Sequence, residues 1–196
     1  HLNPLPVLVK AGTDQLRMQV KVAHANGMEF FWSMRMNDKH DGHKEYGYSM
    51  LSDWKKKQLF DQNGKLLPRS DPRFMTHLVG PGGMSPTSAD YADEAVRDLV
   101  EGIVTYVAKN YDVDGIELDY FRHLYFFASQ NHKKSVTDNE REMLTQMMRH
   151  IRKKTEQIGK ERGRPLLLAI RVPDSPAYCR EVGIDLETWL EEGLVD

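Results

Sequence analysis

Two carboxylates stand two residues apart in the stretch DVDGIELDYFRH, at Glu117 and Asp119, in a segment that otherwise has the composition of a buried strand. Burying a charge is costly unless the group is paired or put to use. Carboxylates at this spacing can do acid–base or nucleophilic work on a bound substrate, or they can neutralise an arginine in a structural ion pair. Strand alternation places Ile116 and Leu118 on one face and Gly115, Glu117 and Asp119 on the other. The same test on FFWSMRMND separates Phe30, Trp32, Met34 and Met36 from Ser33, Arg35 and Asn37. In LLLAIRVPD, Leu168, Ile170 and Val172 alternate with Leu167, Ala169 and Arg171. In each strand the second face turns polar only toward its C-terminal end, where sheets of the α/β type carry their active sites. Glu117, Asp119, Arg35, Asn37 and Arg171 are therefore expected to converge on one rim, with an arginine–carboxylate pair involving Glu117 as the structural alternative.

Further candidates flank this rim. Asp174 follows the third strand and could reach across it, while Arg122 and His123 lie just past the second. Asn37, Asp38 and His40 follow the C-terminal end of the first strand, a position that favours substrate contact. Asp38, His40, Asp41 and His43 match no specific metal motif, so neither a metal nor another cofactor is expected. Tyr120 and Phe121 read as core packing rather than as platforms for a sugar.

The elements that must position these residues alternate. Asp14 precedes QLRMQVKVAHAN, a helix in which Leu16, Val20 and Ala23 share a face and Gly27 is the stop. MEFFWSMRMND reads as a strand. Residues 37–92 show weak patterning and read as a long loop inserted between strand and helix, with a short strand at SADYA. ADEAVRDLVEGIVTYVAKNY is an amphipathic helix, with Val96, Leu99, Val100, Ile103 and Val107 on one face. TDNEREMLTQMMRHIRKKTEQIGKERG is a long one, opened by the capping-box pair Thr137 and Glu140. PLLLAIRVP follows as a strand, and SPAYCREVGIDLETWLEEG as one or two short helices. Strands alternating with helices predict an α/β fold with a parallel sheet. No glycine-rich phosphate turn follows any strand, which weakens a nucleotide-binding open sheet. The expected architecture is one domain over residues 1–196, the interior portion of a (β/α)8 TIM barrel cut at both ends.

Composition narrows the partners. The 196 residues carry a net charge of −2, which offers no electrostatic footprint for nucleic acid or an anionic membrane. No apolar run is long enough to span a bilayer. The start lacks the layout of a signal peptide, which leaves open a secreted or periplasmic protein whose leader has been removed. A single cysteine, Cys179, excludes an internal disulfide and a cysteine-rich zinc site.

The block ADEAVRDLVEGIVTYVAKNYDVDGIELDYFRH resembles bacterial glycoside-hydrolase-like TIM barrels. In that group a short strand ending in Asp-Tyr precedes a helix containing Val-Arg, followed by Y-x-V-D-G-I-x-x-D. The matching residues are Asp90-Tyr91, Val96-Arg97, and Tyr111, Val113, Asp114, Gly115, Ile116 and Asp119. FFWSMRMND and AIRVPDSPAYCREVGIDLETWLEEGLVD look like further blocks of the group. The chain is also similar to alpha-amylase-type barrels in its aspartate at a strand end, which would put Asp119 in the nucleophile position. A chitinase-like D-G-x-D-x-D-x-E pattern fits less well, because its final acid would fall at Phe121. The resemblance implies hydrolysis of a poly- or oligosaccharide. Asp119 would be nucleophile or base, the acid would be Glu117, Asp174 or a group outside this chain, and Arg35, Asn37, Asp38, His40, Arg122, His123 and Arg171 would be substrate-binding. A non-catalytic glycan-binding barrel and a metal-dependent hydrolase or lyase are the alternatives.

Overall fold

The computed structural model describes residues 5–37, 89–127, 129–130 and 134–196. Within them the chain forms helix α1 (Leu5–Lys10), helix α2 (Gln15–Ala25), strand β1 (Phe31–Arg35), helix α3 (Glu94–Asn110), strand β2 (Gly115–Asp119), helix α4 (Asp138–Arg162), strand β3 (Leu167–Arg171), and helices α5 (Pro176–Val182) and α6 (Leu186–Glu191). The helix starts follow the chemistry of their caps. The Asp14 carboxylate accepts the Arg17 N–H at 2.9 Å, and Asp93 does the same for Ala95 at 2.9 Å. The expected capping box on α4 forms, with Thr137 Oγ accepting the Glu140 N–H and the Glu140 carboxylate accepting the Thr137 N–H. Gly163 closes α4 at φ 72°, a left-handed conformation that costs glycine no steric clash.

The three strands form one parallel sheet in the order β1-β2-β3. Ser33, Glu117 and Ala169 are aligned in one row, and Arg35, Asp119 and Arg171 in the row nearer the C-terminal ends. Pairing runs past the strands, since Met36 N–H donates to Asp119 O and Tyr120 N–H to Arg171 O. Asp196 lies on the outer edge of β3, where its N–H donates to Leu168 O at 2.9 Å and its carboxylate accepts the Leu168 N–H. The protein is thus α/β, with one three-stranded parallel sheet and six helices among the described residues.

Helices α3 and α4 pack on each other and bury the apolar side of the sheet. Met34, Ile116, Leu118 and Leu168 meet Val100, Val104 and Val107 of α3 and Leu144, Met148 and Ile151 of α4 in one continuous core. Above it, toward the C-terminal ends, Tyr120 sits between Phe126 and Trp189, with ring centroids 5.5 and 5.4 Å away. Gly115 leaves room for the Phe31 ring on the neighbouring strand, which would lie 2.1 Å from a Cβ at this position. One expectation is corrected and one element is new. No strand forms at 89–92, where the chain turns into the Asp93 cap instead, and helix α1 was not anticipated. The expected loop at 37–92 falls, for residues 38–88, outside the described residues.

Candidate functional site

The side of the sheet opposite α3 and α4 carries the polar rows. Ser33 and Arg35 are exposed, Glu117 is half-buried, and Asp119, at 7% exposure, is buried on the central strand. Its position follows from register, because the strand on either side screens a residue of the middle one. Glu117 is held from both neighbours. Its Oε1 accepts Ser33 Oγ–H at 2.7 Å and Arg171 Nη2–H at 2.9 Å, and Oε2 lies 3.2 Å from the same nitrogen. Asp119 is held differently. Its Oδ1 accepts the backbone N–H groups of Phe121 at 3.0 Å and Arg122 at 3.2 Å. Its Oδ2 lies 3.9 Å from Arg171 Nη1 and takes no hydrogen bond among the described residues. The turn after β2 therefore fixes the carboxylate's rotamer with one oxygen and leaves the other beside a guanidinium.

Arg171 is the hinge of this arrangement, hydrogen-bonded to Glu117 and within ion-pair range of Asp119. The arginine–carboxylate pair expected as the structural alternative for Glu117 is therefore formed. Arg35 is in register with Asp119 but makes no ion pair among the described residues, so the stabilising charge beside Asp119 comes from β3.

The remaining expected residues divide. Asn37 is 1% exposed, and its amide is spent on backbone: Oδ1 accepts Ala89 N–H at 2.9 Å, and Nδ2 donates to Ala89 O and Tyr125 O. It ties the end of β1 to two other segments rather than offering a free amide to a hydroxyl. Arg122 is exposed and reaches Asp119 through its backbone, His123 is half-buried in the same turn, and Asp174 is exposed between β3 and α5. Asp38 and His40 lie outside the described residues. Phe121, expected in the core, is instead 51% exposed beside Asp119, whereas Tyr120 is fully buried as expected. Among the described residues no group of three or more His, Cys, Asp or Glu side chains is arranged to hold a metal ion.

Ser33 gained no role from sequence reasoning, although alternation put it on the polar face. Its partnership with Glu117 needs the β1–β2 register, which alternation does not supply. A second polar cluster also escaped notice, at the opposite end of β2. Asp114 Oδ2 accepts Phe30 N–H at 2.7 Å and hydrogen-bonds His24 Nε2 at 2.8 Å, while Oδ1 pairs with Arg164. Asp112 pairs with Arg162 and Arg164.

No family model and no curated protein matches the chain. Among solved structures it is similar to alpha-L-fucosidase isoenzyme 2 from Paenibacillus thiaminolyticus, at 19% identity and a TM-score of 0.39, over 82% of this chain and 23% of that one. The chain thus spans less than a quarter of that protein's length, and a likeness of this degree assigns neither activity nor residue roles.

Proposed function

We propose that the chain is the central β/α portion of a (β/α)8 barrel glycoside hydrolase acting on a poly- or oligosaccharide. The observation that carries the reading is the row Arg35–Asp119–Arg171 at the C-terminal ends of three adjacent parallel strands. In (β/α)8 enzymes this end of the strands is where chemistry is done. Asp119 is the nucleophile, or the general base if the reaction inverts. Two backbone N–H groups orient it, and Oδ2 is left to face the anomeric carbon or an attacking water. Arg171 stabilises its charge from the side.

Glu117 is then a positioning residue, because both of its oxygens already engage Arg171 and one of them also Ser33. The acid is Asp174, from the β3–α5 loop, or a group outside the described residues. The occupancy of Glu117 also favours a second reading, a glycan-binding barrel that has a pocket but no acid–nucleophile pair. Turnover on a panel of polysaccharides and aryl glycosides separates the two. Hydrolysis abolished by Asp119→Asn, with sugar affinity and melting temperature nearly unchanged, supports catalysis. Binding without hydrolysis by the unsubstituted protein refutes it.

A further inference from the structure

The two loops that leave the rim enclose a second feature. Leu124 and Tyr125, from the segment after β2, and Tyr178 and Glu181, on α5 after β3, line a cavity of about 300 Å³ together with Lys134. Its wall is pre-set by Gln130, which accepts the N–H groups of Phe126 and Phe127 at 2.8 and 3.0 Å and donates to Leu124 O at 3.0 Å. Asn37 holds Tyr125 O, so the end of β1 is fastened to the same wall. Tyr125 and Tyr178 both line this cavity, and the Tyr125 phenol is pushed up by burial and then by Tyr178.

We propose that this cavity is a subsite for a neutral sugar ring of the glycan, next to the reacting unit. The proposal rests on the glycan reading above and names the substrate class that the second subsite selects. Three features carry it. The volume is at the small end of ligand sites, which run from roughly 300 to 1,000 Å³, and suits one ring. Tyr125 and Tyr178 provide aromatic surface for the C–H face of a pyranose, and Tyr178 a hydroxyl for its rim. Lys134 can only donate hydrogen bonds and the Glu181 carboxylate can only accept them. A sugar hydroxyl does both, and one cation beside one anion gives the lining no net charge with which to select a charged sugar. The cavity is lined by the segment that follows β2 and by α5, the helix that follows β3, and those two strands end on Asp119 and Arg171.

The test uses neutral gluco-, galacto-, manno-, xylo- and fuco-oligosaccharides, titrated by calorimetry into the Asp119→Asn protein. At least one is expected to bind, and adding Tyr178→Ala should weaken it about tenfold. Tyr178→Phe should restore most of that loss, and Lys134→Ala should give a smaller one. Tyr178 is 42% exposed, so its truncation leaves the fold in place, which a melting curve verifies. No binding by any of these sugars, or an affinity indifferent to Tyr178→Ala, overturns the subsite. The two readings fail separately. Tyr178-dependent binding by a protein that hydrolyses nothing sinks the catalytic proposal and keeps the subsite. Hydrolysis that requires Asp119 but ignores Tyr178 does the reverse.

Discussion

The two ends of β2 each carry a pair of acidic residues, and their surroundings differ. At the N-terminal end, both Asp114 oxygens are taken, by the Phe30 N–H and His24 on one side and by Arg164 on the other. Burial alone would raise the Asp114 pKa, but hydrogen bonds from His24, the Phe30 N–H and Arg164 outweigh it and bring it from 3.8 down to about 2. This cluster ties α2, the start of β1, β2 and the end of α4 together. At the C-terminal end, Asp119 gives one oxygen to the backbone and keeps the other beside Arg171 at 3.9 Å. A saturated carboxylate stabilises a fold, whereas one held by a single oxygen in a sheet's open face retains capacity to engage something else.

Substitutions should break this contrast in opposite ways. The largest effect is expected at the C-terminal end: Asp119→Asn should lower glycosidase turnover by several orders of magnitude with little change in melting temperature. Equal activity in a folded Asp119→Asn protein would remove the distinction between the two ends. At the N-terminal end the expectation is reversed. Asp114→Asn should cost about 2–3 kcal/mol in denaturant unfolding, because it weakens several charge-assisted bonds at once. It should leave turnover per folded molecule unchanged.

The same residue sharpens the comparison through pH. Because folding depresses the Asp114 pKa, the stability it supplies is fully present above the unfolded value and is lost as pH falls. Melting temperature should therefore decline between pH values of about 4 and about 2, and Asp114→Asn should flatten that part of the profile. A parallel decline in the variant would assign the acid sensitivity elsewhere.

A smaller effect is expected in the middle of the strand. Gly115→Ala would press on the Phe31 ring, 2.1 Å from the new Cβ. That ring sits at the surface and can swing away, so the cost should be about 1 kcal/mol, the low end of overpacking. Phe31→Ala in the same chain should recover it. The smallest effect belongs to Arg171→Lys, which keeps the charge but loses the fork that holds Glu117 through Nη2 while Nη1 lies 3.9 Å from Asp119. It should alter turnover while moving stability by less than about 1 kcal/mol, since Arg171 is largely exposed.

The amino-acid sequence determined what depends on near neighbours. Period-two alternation assigned Ile116 and Leu118 to the core and Glu117 and Asp119 to the other face, and those assignments rest on backbone geometry alone. Thr137 with Glu140, and Asp14 before its helix, announced helix starts because a cap bonds within three residues. The order of strands and helices announced a parallel sheet. Tertiary structure decided everything that needs a partner distant in the chain. Glu117 finds Ser33 and Arg171 only once the register of both neighbouring strands exists. Asn37 looked available for a sugar hydroxyl until Ala89 and Tyr125, 52 and 88 residues away, occupied its amide. Phe121 looked like core because it is apolar, yet the turn that hands its N–H to Asp119 leaves its ring outside. Residue type sets what a side chain can bond to. Which of those bonds is made depends on which distant segment folding delivers to it, and no local pattern encodes that distance.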